Sequence, residues 1–274
     1  MPILPLPPNR LAVIAAIAFT ISYAGLAGAQ TVLIEHVDDN DPVAEGWSTV
    51  GAGVGVITGP VTNDLGSGVD AWSVDDTTTA TDSVRFYGFD PSGSEVGDAV
   101  ANGWRYEIGI RVVDTPENPD RATFADFIDD TTRWRMDFGS DVSGDPQVLL
   151  QTGLDGLYDT GILYTLVGGG SGYHTYELRY DPVAGDADLF IDGVERVSGY
   201  TGFANASGGP RITFGAGQAT ETGHGHFSLA RFTIAAAPSA VPALSAVPLV
   251  VLGCALVAGA MLWGRGTRFG FARL

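Results

Sequence analysis

Leu189-Phe190-Ile191-Asp192-Gly193-Val194-Glu195-Arg196-Val197 is the stretch that decides the fold. Two short apolar-containing runs flank an Asp-Gly pair, and that pair suits the positive φ angles of a tight hairpin turn. Just upstream, His174-Thr175-Tyr176-Glu177-Leu178-Arg179-Tyr180 alternates with period two. Trp104-Arg105-Tyr106-Glu107-Ile108-Gly109-Ile110-Arg111-Val112 places its aromatic and aliphatic side chains on one face and its charges on the other, as a half-buried antiparallel strand does. Arg133-Trp134-Arg135-Met136-Asp137-Phe138 repeats the pattern.

Further strands are predicted near Val32–Glu35, Val54–Ile57, Ala71–Val74, Val84–Phe89, Val148–Gln151, Ile162–Leu166, Arg211–Phe214 and Phe227–Ile234. Helical periodicity is almost absent between them. A dozen or so short strands imply an all-β fold of two packed antiparallel sheets, with the 38 glycines serving the turns. Gly168-Gly169-Gly170 is such a turn rather than a phosphate loop, because neither Gly-Lys-Ser/Thr nor a helix signal follows.

The run Tyr173–Gly193, with its Asp181-Pro182-Val183-Ala184-Gly185 turn and its Asp192-Gly193 hairpin, resembles the central hairpin region of concanavalin A-like, laminin G-like domains. The resemblance extends to Ile234 and more loosely over Gln30 to Tyr173. It implies a jelly-roll sandwich, but not a ligand, since that fold carries lectins, glycan hydrolases and plain spacers alike.

The two ends read as transport signals. Arg10 precedes the apolar stretch Leu11 to Ile21, and Ala27-Gly28-Ala29 offers small residues to signal peptidase ahead of Gln30. Residues 1–29 are therefore expected to be a cleaved signal peptide, with an uncleaved anchor as the alternative. The body, 30–234, leads through a small, Pro-punctuated linker (235–245) into 246–264, 19 residues without a charge. At about 1.5 Å per residue that run spans a bilayer core of about 30 Å. Arg265, Arg268 and Arg273 follow in a basic tail (265–274) expected to stay cytoplasmic.

Val241-Pro242-Ala243-Leu244-Ser245, the apolar helix and the arginine end together resemble the PEP-CTERM sorting signals, closest to the Ile-Pro-Thr-Leu-Ser variant. The resemblance implies an exosortase-type membrane protease acting near Val241 and Pro242, and a bacterial cell-surface or extracellular-matrix destination. Ala243 stands where the commoner form has Glu, and Pro248 interrupts the start of the helix. A plain single-span membrane anchor is the other reading.

All 14 basic residues are arginine; ten of them lie in the body against all 32 acids, a net charge of −22 there and −18 overall. That sign repels nucleic acid and anionic lipid and attracts divalent cations. The one cysteine, Cys254, lies in the apolar tail, so the body holds no internal disulfide and rests on its core.

Several clusters carry chemistry. Asp38, Asp39 and Asp41 form an oxygen-rich run that suits calcium, although the Gly and distal Glu of an EF-hand loop are missing and a solvated acidic loop is the favoured reading of the same residues. Laminin G-like resemblance adds a calcium expectation without choosing a loop; Asp75-Asp76 and Asp129-Asp130 are comparable pairs. Asp186, Asp188 and Asp192 invite a glycan-hydrolase reading, which needs two carboxyls about 5–5.5 Å apart. Asp186 and Asp192 are claimed by turns, however, so no catalytic set is assigned and the protein is expected not to be an enzyme. His224-Gly225-His226 offers two imidazoles but no evident third metal ligand, while His36 and His174 stand alone. Of the aromatics near strand ends, Tyr158 and Tyr200 are the candidate glycan-stacking platforms. The expectation is an exported, non-enzymatic sandwich that binds extracellular polysaccharide with calcium. A glycan hydrolase or lyase, or an inert spacer, are the alternatives.

Overall fold

The computed structural model describes residues 30–78, 84–113, 123–153, 160–205, 208–217 and 222–237. All belong to the first of two units, Met1–Ala237. The expected processing residues Ala27, Ala29, Val241 and Pro242, the apolar span 246–264, and Tyr158 lie outside the described residues. Among the described residues no helix is long and apolar enough to cross a membrane.

Among the described residues, sixteen strands and one helix follow in chain order: β1 Gln30–Val37, β2 Ser48–Val50, β3 Val56–Asp64, β4 Val69–Asp76, β5 Arg85–Phe89, α1 Gly93–Asn102, β6 Trp104–Val112, β7 Thr123–Ile128, β8 Thr132–Ser140, β9 Pro146–Gln151, β10 Gly161–Thr165, β11 His174–Asp181, β12 Asp186–Ile191, β13 Val194–Tyr200, β14 Phe203–Ala204, β15 Arg211–Ala216 and β16 Gly223–Ala235. The first sheet runs β13-β12-β11-β6-β16-β4-β3, with β1 beside the C-terminal part of β16; the second runs β10-β9-β8-β7-β15-β5-β2, with β14 on β8. Every pairing is antiparallel. The expected two-sheet antiparallel sandwich is present.

Period-two alternation builds the core as the sequence implies. Trp104, Tyr106, Ile108 and Ile110 of β6 are buried in one cluster with Trp134, Met136 and Phe138 of β8. Three polar tips tie the sheets across it. The Tyr106 hydroxyl donates to the Thr213 carbonyl (2.7 Å), Tyr200 to the Gln151 carbonyl (2.7 Å), and Trp72 Nε1 to the Tyr87 hydroxyl (2.8 Å). Each satisfies a polar group that would otherwise be stranded in the core. At the β12–β13 hairpin, Asp192 (φ 51°) and Gly193 (φ 76°) both occupy the left-handed region, as the Asp-Gly signal requires.

One helix, not anticipated from the sequence, stands among the described strands of this all-β fold. Ser92 and Glu95 form a reciprocal capping box that starts α1, whose Val96 and Ala99 are buried. Gly103 (φ 96°) ends the helix, its N–H bonded to the Ala99 carbonyl; a Cβ there would meet the Tyr180 carbonyl at 2.9 Å. Three strands were also not anticipated: β2, β7 and β14.

Candidate functional site

One end of the sandwich brings together the last residues of β6 and β8 and the first residues of β9 and β11. A small cavity opens there, lined by Arg111, Ser140, Gly170, Ser171, His174 and Tyr176 among others. Its floor holds two hydroxyls, Ser140 Oγ and Tyr176 Oη, buried and without a hydrogen-bond partner among the described residues. Burial, and then the charge of Asp192, pushes the Tyr176 hydroxyl well above its ordinary pKa, so it stays a neutral donor.

The loops around this cavity are fixed by their own side chains. The Asp141 carboxylate accepts from the Ser143 and Asp145 N–H groups (2.8 and 2.9 Å), closing the β8–β9 turn. Asp145 in turn accepts from the Gly168 N–H (3.0 Å), tying the glycine-rich loop to that turn. His174, which stood alone in the sequence, bridges two acceptors: Nδ1 lies 2.7 Å from Asp192 Oδ2 and Nε2 lies 3.2 Å from the Gly169 carbonyl. Burial alone would raise the Asp192 carboxyl, but the Thr175 N–H and His174 outweigh it and hold the carboxyl below its ordinary range. Asp192 thus serves both the hairpin turn and the loop.

Behind the cavity wall lies a charged node that sequence reading did not find. Asp64, at the end of β3, receives a two-pronged bond from Arg111 (Nε 2.6 Å, Nη2 2.9 Å), and further contacts from His226 Nδ1 (2.7 Å) and the Tyr173 hydroxyl (2.8 Å). Burial raises its carboxyl, yet the Arg111, His226 and Tyr173 donors more than reverse this and hold it far below the usual carboxylate range. Beside it, His226 Nε2 is 3.1 Å from His224 Nε2, and Ser73 Oγ is 3.0 Å from the same His224 nitrogen.

The second sheet carries a pair of carboxylates, Asp126 and Asp137, on its face away from the core. Asp126 binds Arg133 and Thr213, and Asp137 accepts from Arg135 Nε at 2.6 Å. Both are 1% exposed, so as arranged they do not meet a polysaccharide chain. Burial, opposed by Arg135, raises the Asp137 carboxyl.

The other anticipated residues fall in varied places. Tyr200 corrects the stacking expectation: its ring is 1% exposed and its hydroxyl is committed to the Gln151 carbonyl, so it offers no platform to a sugar in solvent. Its position next to a glycine gave an exposed look to what is a core residue. Asp39 accepts from Thr62 Oγ1 (3.0 Å) and Asp41 from the Val43 N–H (2.9 Å), while Asp38 takes a left-handed backbone (φ 59°). Among the described residues no set of three or more His, Cys, Asp or Glu side chains is grouped to hold a metal ion. His36, the other lone histidine, is fully buried between Glu45 (2.6 Å) and the Phe227 carbonyl (3.3 Å).

A family model described as the lectin insertion of Vibrio cholerae sialidase matches residues 98–240, just over half of the chain. The chain belongs to that family. The matched span includes Arg111, Tyr173, His174, His224 and His226, and leaves out Ser73 and Asp64. No curated protein matches the sequence. Among solved structures, the carbohydrate esterase vb_24B_21 of the Shiga toxin-encoding bacteriophage phi24B is 11% identical, with a TM-score of 0.57 over 76% of this chain and 100% of that one. Botulinum neurotoxin type C, described by its dependence on two ganglioside molecules for cell entry, is 11% identical with a TM-score of 0.49, covering 76% of this chain and 49% of that one. The binding domain of botulinum neurotoxin DC in complex with SialylT is 10% identical with a TM-score of 0.47, over 74% and 47%. The chain spans about half the length of these two neurotoxin chains. At such identities, the likeness to the phage protein speaks for the fold alone, a two-sheet β-sandwich.

Proposed function

We propose that this protein is a non-enzymatic carbohydrate-binding module, exported to the bacterial surface or its matrix, which holds a polysaccharide at the loop end of the sandwich. Membership of a lectin-insertion family is the observation that carries this reading. The cavity between β6, β8, β9 and β11 supports the location, because sugar sites combine an apolar wall with a few fixed polar groups. A volume of about 50 Å³ accommodates one substituent of a sugar, not a ring. The saccharide would therefore lie across the Gly170–Gly172 loop and insert a single group toward Ser140 and Tyr176. Export fits the expected peptidase site after Ala29, and anchoring followed by exosortase-type release fits Val241-Pro242 and the apolar tail. Calcium enters only as a partner drawn to the acidic body, since Asp38, Asp39 and Asp41 are not grouped as a metal site.

A glycan array probed with the full chain, with and without calcium, tests the function. Binding to at least one glycan class is expected; a blank array in both conditions would leave an inert spacer. For a glycan so identified, Tyr176→Phe tests the site. A new hydrogen bond contributes about 0.5–1.5 kcal/mol, so affinity should fall by up to about tenfold. Stability should be unchanged or slightly raised, since the hydroxyl has no partner to lose among the described residues.

A further inference from the structure

We propose that His224 and His226 form a bidentate chelate for a late divalent transition metal, Cu²⁺ before Ni²⁺ or Zn²⁺, on the face of the first sheet that looks away from the core. The proposal stands apart from the carbohydrate reading and uses different atoms.

Residues two apart on β16 project from the same face, so both imidazoles leave the sheet side by side. Their Nε2 atoms are 3.1 Å apart and the rings are steeply inclined, at 69°. Two imidazole nitrogens bound at about 2.0–2.1 Å to one ion, at a right angle, stand about 3 Å apart. The observed spacing therefore matches adjacent positions of a square or tetragonal centre, the geometry preferred by Cu²⁺ and Ni²⁺, and Cu²⁺ also heads the affinity order for such ligands.

The opposite edges of the rings face carboxylates, the partner that metal-binding histidines characteristically have, within hydrogen-bond range for His226 and at a longer ion-pair distance for His224. His226 Nδ1 meets Asp64 Oδ2 at 2.7 Å, and His224 Nδ1 faces Asp75 Oδ1 at 3.9 Å. Arg111 Nη2, 3.0 Å from His226 Nδ1, competes with Asp64 for that nitrogen. When Nδ1–H donates to Asp64, the Nε2 lone pair is turned toward His224, and a cation between the rings selects that tautomer. Ser73 Oγ, 3.0 Å from His224 Nε2, stands near a third position, and solvent completes the set. The His224 side chain is 23% exposed and that of His226 9%, so the pair is reachable from solution. The net charge of −18 favours cation capture.

Untagged full chain, stripped with a chelator, would be titrated calorimetrically with CuCl2, NiCl2 and ZnCl2, and the Cu²⁺ form examined by electron paramagnetic resonance. The expected result is one tight Cu²⁺ equivalent per chain with hyperfine structure from two imidazole nitrogens. The His224→Gln variant should lose at least about tenfold in affinity while keeping its circular dichroism spectrum. A Cu²⁺ spectrum without two coupled nitrogens, or affinity unchanged in His224→Gln, would overturn the proposal. Because His226 is more deeply set, the wild-type spectrum, which needs no substitution, stands as the independent test of its participation.

Discussion

Replacing Arg111 with Met should lower the unfolding free energy by about 3–5 kcal/mol, because it leaves the Asp64 carboxylate buried without its principal counter-charge. Arg111 and Asp64 are 8% and 7% exposed, and their two-pronged bond joins β6 to the end of β3 across the strands between. A domain of this size shifts its melting temperature by about 2–4 °C per kcal/mol, so a fall of roughly 10 °C is expected. Replacing both partners, Arg111→Met with Asp64→Leu, should recover most of the loss, since an apolar pair removes the stranded charge as well. Urea unfolding of the two variants distinguishes this account from simple loss of packing, which would make the double variant the worse of the two. The pH dependence has a definite sign. The folded carboxyl of Asp64 titrates below its unfolded value of 3.8, so its stabilisation is fully present above that value. It disappears only as the pH falls through the lower, folded value. The difference between wild type and the double variant should therefore be flat from neutral pH down to about 4 as far as this group is concerned.

Phe214→Ala should cost about 3–5 kcal/mol, the usual range for emptying a buried phenyl site. Phe214 is fully buried at the centre of an aromatic cluster, with ring centroids 4.8 Å from Trp47, 5.2 Å from His36, 5.2 Å from Phe227 and 5.3 Å from Tyr87. These neighbours come from four other segments of both sheets, so no single element can shift to fill the void. Edge and offset ring contacts add about 0.5–1.5 kcal/mol per pair beyond area burial. Phe214→Leu, which refills most of the volume, should lose clearly less than half as much; equal losses in calorimetry would mean that ring contacts, not volume, govern this cluster.

The sandwich was legible wherever one face of a strand meets the core and the other meets solvent. Trp104–Val112 and His174–Tyr180 show the alternation, and Asp192-Gly193 marks its turn. Thr123–Ile128 escaped because all six of its residues are buried, which erases the period. The helix escaped because ten residues with two glycines give little helical periodicity, although Ser92-x-x-Glu95 spelled out its cap. The His224-x-His226 pairing was readable from spacing alone. The node around it was not: Asp64, Arg111, Tyr173 and His226 come from β3, β6, the loop before β11 and β16, and only the sheet order assembles them. Arg111 looked like an ordinary solvent-facing charge of an alternating strand. Tyr200 misled in the other direction, as a tyrosine beside glycines whose ring in fact crosses the core to the opposite sheet.

The loop end of the sandwich is the proposed place where carbohydrate meets the protein, and amide NMR mapping tests that most directly. Full chain labelled with 15N would be titrated with a glycan drawn from the array. The account expects concentration-dependent shifts centred on Gly170, Ser171, Gly172 and His174, weakened in Tyr176→Phe. Shifts confined to other loops, with these four residues unmoved at saturation, would contradict it.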